Sequence, residues 1–89
     1  MEKIKLFQID IENWRFTLYE SQSKELYASF PYSPRSFIDL EIFIKLTEEE
    51  KIKAKNDRNF LLEISDDVRN NYKNYFSRTI NFGDFKLMR

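Results

Sequence analysis

Residues 37–46 read FIDLEIFIKL, and this stretch decides the fold prediction. Apolar side chains occupy every even position, so they recur with a period of two residues. Such alternation is typical of a long β-strand that places one face against a core. The even positions are Ile38, Leu40, Ile42, Ile44 and Leu46.

Three segments before this strand alternate in the same way, at residues 3–11, 14–19 and 25–30. In the first, Phe7, Ile9 and Ile11 are predicted to share one face. In the second, the alternation assigns Trp14, Phe16 and Leu18 to the core, with the preceding turn at Glu12 and Asn13. Pro31 and Pro34 lack a backbone N–H donor, which predicts that the third strand ends before them.

The hydrophobic period changes after Leu46. Thr47 and Glu50 have the spacing of a capping box, which predicts a helix that ends near Asn56. Asp57 is predicted to cap a second helix, with Leu61, Ile64 and Val68 at helical spacing. The sequence leaves open whether residues 58–76 form one helix, two helices, or a strand at 60–64 followed by a helix. A last strand is predicted on either side of Gly83.

These elements predict an α+β fold with the order ββββ-α(α)-β. The sheet is expected to be antiparallel, with about four or five strands and one or two helices packed on one face. The length of 89 residues fits a single domain over residues 1–89.

Composition excludes several classes of chemistry. The chain has no Cys and no His, which removes Ser-His-Asp and Cys-His catalysis and thiolate zinc sites. We therefore expect no enzyme activity, no cofactor and no metal. No apolar run exceeds three residues, which predicts no membrane span, and the N-terminus lacks the apolar core of a secretory signal. A cytoplasmic location is the expectation.

The fifteen aromatic residues supply the main functional hypothesis. Strand alternation leaves four of them on the face opposite the predicted core, beside two basic residues. Exposed aromatic and Arg side chains are typical of protein interfaces. The candidate interaction face comprises Arg15, Tyr19, Tyr27, Phe37, Phe43 and Lys45. The alternative is that the helices cover this face. The leading prediction is a non-enzymatic protein-binding module that acts by steric occlusion, with an inhibitor or immunity-type protein as its narrower form.

A second hypothesis comes from the C-terminal segment, where basic and aromatic residues are interleaved. Tyr72, Lys73, Tyr75 and Arg78 could contact a single-stranded nucleic acid through stacking and phosphate contacts. The fifteen basic and fifteen acidic residues give zero net charge, which disfavours this alternative. The expected partner is thus a protein of unknown identity, and homodimerisation through an exposed strand is left open.

Overall fold

The computed structural model describes residues 3–35 and 38–88. Four strands are followed by two α-helices, two short 3₁₀ helices and a fifth strand, so the predicted α+β class is confirmed. The elements are β1 (Ile4–Glu12), β2 (Phe16–Ser21), β3 (Leu26–Arg35), β4 (Ile38–Lys45), α1 (Glu48–Asn56), α2 (Asn59–Asn71), 3₁₀ helices at Tyr72–Arg78 and Phe82–Asp84, and β5 (Phe85–Met88).

The sheet is mixed, with the strand order β4-β3-β2-β1-β5. Strands β1 to β4 form an antiparallel meander, but β5 pairs with β1 in parallel. The prediction of a purely antiparallel sheet is therefore wrong. Local alternation identifies a strand but carries no information about which sheet edge it joins, and β5 joins the edge farthest from β4.

One core lies between the helices and the face of the sheet formed by β2, β3 and β4. The even positions Ile42, Ile44 and Leu46 of the deciding strand are buried there, whereas Leu40 is 46% exposed. Helix α2 contributes its apolar stripe, and α1 contributes only Ala54. The other buried members are Phe16, Leu18, Leu26, Ala28, Phe30, Tyr32, Leu61, Ile64 and Val68.

A second, smaller core lies on the opposite face of the sheet, which the C-terminal segment covers. Leu6 is buried here together with aromatic side chains from β2, β3 and β4. Ile80 and Phe85 pack against this cluster, and the Ile80 N–H donates to the Phe43 carbonyl at 2.9 Å. Because β5 then pairs with β1, the C-terminal segment connects the two edges of the sheet.

Two features of the strands differ from what the alternation predicted. The register of β1 shifts between Gln8 and Asp10, which places Phe7 opposite Glu20 but Ile11 opposite Thr17. A one-residue shift exchanges the faces of a strand, so the prediction that Phe7 and Ile11 share a face is wrong.

The third strand also continues beyond the predicted end, through both prolines to Arg35. The pairing of β3 with β2 ends at Ser29, while Pro31 lies opposite Glu41 of β4. A proline is tolerated where the side that lacks the donor faces no neighbouring strand.

The boundaries of α1 follow the predicted capping signals, whereas the N-cap of α2 is Arg58 and not the predicted Asp57. The Glu50 N–H donates to Thr47 Oγ1 at 3.2 Å, and the Thr47 N–H donates to Glu50 Oε1 at 2.9 Å, which confirms the capping box. Helix α1 ends at Asn56 as predicted, and the Asp57 carboxylate accepts from the Asn59 N–H at 3.0 Å. Residues 60–64 are helical, so the strand alternative is wrong.

Candidate protein-binding surface

The aromatic residues predicted to lie on an exposed face are buried wherever the structure describes them. Tyr19, Tyr27 and Phe43 form the second core, and Phe37 lies outside the described residues. The Phe85 ring lies 5.0 Å from Tyr27 and 5.2 Å from Phe43, between ring centroids. Their predicted exposure is wrong because the C-terminal segment, rather than a helix, covers this face.

The two basic residues of the predicted face are not brought together. Arg15 reaches α2, where its guanidinium lies 2.6 Å from Asp66 Oδ1 and donates to the Leu62 carbonyl at 3.2 Å. Lys45 lies at the end of β4, with its Nζ 3.8 Å from Glu25 Oε2. These residues therefore do not form one interaction face.

The aromatic residues of the alternative nucleic-acid segment make intramolecular contacts. Tyr72 stacks on Tyr32, with ring centroids 4.9 Å apart. The Tyr75 hydroxyl donates to Asp67, and its burial together with this carboxylate raises the pKa of Tyr75 to about 12. Hydrogen bonds from Tyr75 and Asn71 in turn lower the pKa of Asp67.

The basic residues of that segment differ in their surroundings. Arg78 lies 2.5 Å from Glu50 Oε1 and also donates to the Lys45 carbonyl at 3.2 Å. Burial raises the pKa of Glu50, but the hydrogen bonds from Arg78 and Thr47 outweigh it and leave that pKa lowered. Lys73 is exposed. The side chains of this segment, which forms the first 3₁₀ helix, therefore mainly attach it to α1 and α2.

The residue that sequence reasoning missed is Trp14. It was expected in the core, but β2 begins at Phe16 and Trp14 lies in the preceding turn, 77% exposed. The turn is closed by a hydrogen bond from the Arg15 N–H to the Glu12 carbonyl at 2.9 Å. Trp14 has a φ of 67°, a left-handed conformation that bulky residues rarely adopt. No sequence signal marks it, because Gly or Asn is the usual occupant of such a position.

Three arginines connect this turn to α2 through hydrogen bonds and ion pairs. Arg15 extends from the turn to the helix, as described above. Arg69 extends in the other direction, and its Nη2 donates to the Trp14 carbonyl. This second contact directly holds the backbone of the residue with the positive φ.

The third arginine, Arg58, lies at the start of α2 and binds the end of β1. Its Nε lies 2.7 Å from Asp10 Oδ2, and its Nη2 lies 2.9 Å from Glu12 Oε2. The hydrogen bond from Arg58 lowers the pKa of Asp10, and the two carboxylates raise the pKa of Arg58. Its guanidinium carbon also lies 5.1 Å from the centroid of the Phe16 ring. The Trp14 turn is therefore anchored on both sides.

A surface groove of about 360 Å³ adjoins the Trp14 indole. Its wall includes Arg69 of α2, and the nearly buried ring of Tyr32 forms part of its lining. The lining residues are Trp14, Pro31, Tyr32, Ser33 and Arg69. We call Trp14 and this groove the Trp14 surface.

No protein-family model, curated protein or solved structure matches the chain. Among the described residues, no three His, Cys, Asp or Glu side chains are grouped so that they could hold a metal ion. Within the same residues, neither helix has the length and apolar character required to span a bilayer.

Proposed function

We propose that the chain is a protein-binding module in which Trp14 is the anchoring side chain. The observation that carries this proposal is an exposed Trp held in a left-handed turn by contacts with α2. An outlier of backbone conformation that the surrounding structure maintains often marks a functional residue. Trp, Tyr and Arg are also the residue types that most often dominate the binding free energy at interfaces.

The proposed mechanism is steric occlusion without catalysis. The indole of Trp14 would insert into an apolar pocket of the partner, and the groove beside it would accept a partner side chain. Because the turn is fixed in advance, little conformational entropy is lost on binding. An inhibitor or immunity-type role, in which the occupied pocket belongs to the partner's active site, is the narrower form of this proposal.

Affinity capture from the cells that naturally make the chain tests this proposal. Wild-type protein is compared with Trp14→Ala and with Ile52→Ala, whose side chain is 59% exposed on α1. We expect a protein that wild type and Ile52→Ala retain and Trp14→Ala loses. With that partner purified, Trp14→Ala should weaken binding by roughly 30-fold or more, as for a typical hot spot.

Equal retention of the partner by Trp14→Ala would contradict the proposal. A fluorescence-anisotropy titration with a single-stranded oligonucleotide provides the competing outcome. Binding that weakens with added salt and depends on Lys73 would instead favour the nucleic-acid hypothesis.

A further inference from the structure

The outer side of β5 is an open strand edge. This strand lies last in the sheet order, and no other described strand pairs with its far side. An unpaired edge presents a row of backbone N–H and C=O groups to any extended chain. Addition of a strand to such an edge is a common mode of peptide recognition.

The sheet around this edge carries exposed apolar side chains. The helices pack on β2, β3 and β4, and they leave β1 and β5 largely uncovered. Five large apolar residues on these two strands are 41–50% exposed. They are Ile4, Phe7, Ile9, Ile11 and Leu87. Ile4 and Leu87 lie on the same face of the sheet as Phe85, whereas Phe7 pairs with Met88 and lies on the face of Lys5 and Lys86. Exposed apolar side chains beside an open edge are typical of an interaction site.

The charge on this edge is positive. Lys5 and Lys86 are directly paired across β1 and β5, and both are exposed, as is Lys3. Among the described residues, no carboxylate forms a salt bridge with these three lysines. An acidic segment therefore fits this edge. A second copy fits poorly, because antiparallel pairing of two β5 strands would place Lys86 near its counterpart.

We propose that β5 binds an extended segment of another polypeptide in which acidic and apolar residues alternate. Lys86 and Leu87 are neighbours in the strand, so their side chains point to opposite faces. Acidic side chains of the added strand would lie beside Lys86, and Lys5 would add positive charge from one strand further away. Its apolar side chains would lie beside Leu87 and Phe85 and would extend the second core. This site is separate from the Trp14 surface and does not depend on it.

Peptide titration of the full chain, observed by NMR, tests the site. The probe is a nine-residue synthetic peptide of alternating Val and Glu, used at low salt. One control peptide has Lys in place of Glu, and another has Pro in place of two Val residues, which prevents ladder pairing. We expect the Val-Glu peptide alone to shift the amide signals of residues 85–88 and slow their hydrogen exchange.

Charge-reversal variants test whether the lysines contribute to peptide binding. The double variant Lys5→Glu/Lys86→Glu should weaken binding of the Val-Glu peptide roughly 2- to 30-fold, as for two surface ion pairs. It should also gain binding of the Val-Lys peptide. The matched control Lys53→Glu/Lys55→Glu makes the same charge change on α1, and Trp14→Ala removes the other surface. Both should bind the Val-Glu peptide as wild type does.

The proposal is overturned if the Val-Glu peptide does not bind at low salt or if its shifts map away from β5. It is equally overturned if the proline-containing peptide binds as well, since that result would indicate charge attraction without strand pairing. Concentration-dependent shifts of residues 85–88 without peptide would assign the edge to a second copy instead.

Discussion

At the scale of single residues, Trp14 is held in place at a free-energy cost. A left-handed conformation destabilises a non-glycine residue by about 1–3 kcal/mol. The indole recovers little of this by burial, because 77% of its surface is exposed. The donation from Arg69 to the Trp14 carbonyl favours the observed turn. A cost that burial of the indole does not offset supports the proposal that Trp14 binds a partner.

This conformation leads to a prediction about stability. Replacing Trp14 with Gly removes the steric penalty, whereas replacing it with Ala retains it. We expect Trp14→Gly to unfold with a free energy about 1 kcal/mol higher than Trp14→Ala in urea titrations. Equal stabilities of the two variants would contradict the strained turn. Both variants should lose binding to the partner equally, which separates the role of the indole from that of the backbone.

At the scale of elements, α1 depends on its ends more than on its apolar contacts. Its nine residues are too few for a stable isolated helix, and Ala54 is its only buried residue. Glu50 compensates in two ways, since it completes the capping box with Thr47 and pairs with Arg78. The capping box is local and was predictable from the sequence. The pairing with Arg78 was not predictable in this way, because it joins residues 28 positions apart.

The pairing of Glu50 with Arg78 predicts a pH dependence. The pKa of Glu50 in the folded chain lies below its ordinary value of 4.5. The pairing therefore stabilises the fold fully above that pH, and the contribution is lost as the pH falls through the folded pKa. Glu50→Gln retains a capping acceptor but removes the charge. We expect it to lower the free energy of unfolding by about 1 kcal/mol or less near pH 7, with the difference shrinking as the pH falls through the folded pKa.

Urea titrations between pH 3 and pH 7 measure this effect. Glu49→Gln is the matched control, because it removes the same charge from the same turn and Glu49 pairs only with Lys53 among the described residues. The free energy of unfolding of Glu49→Gln should vary with pH as that of wild type does. A Glu50→Gln curve that ran parallel to wild type at every pH would contradict the assigned role of Arg78.

At the scale of the whole molecule, the second core explains why the predicted aromatic face does not exist. Alternation correctly placed Tyr19, Tyr27 and Phe43 opposite the first core. It could not show that Phe85, more than 40 residues later in the chain, packs on two of them. Strand identity and helix caps are encoded locally, whereas β5 pairing and sheet curvature depend on contacts distant in sequence. Left-handed turn positions are a local exception, because Trp14 and Lys24 stand where Gly or Asn is the usual signature.

Among these variants, we expect Phe85→Ala to lose the most stability, because Phe85 closes the second core. Phe85 is half-buried and makes ring contacts with Tyr27 and Phe43. Its removal loses apolar burial and two aromatic pairs, so we expect Phe85→Ala to lower the free energy of unfolding by about 2–4 kcal/mol. A chain of this length has roughly 4–13 kcal/mol in total, so the variant should lose a substantial fraction of its stability.

Leu87→Ala is the matched control on the same strand, and its effect should stay within about 0.5 kcal/mol because the side chain is exposed. Equal destabilisation by the two substitutions, measured by urea denaturation, would mean that β5 acts only through its backbone pairing with β1 and that the aromatic contacts contribute nothing to closure.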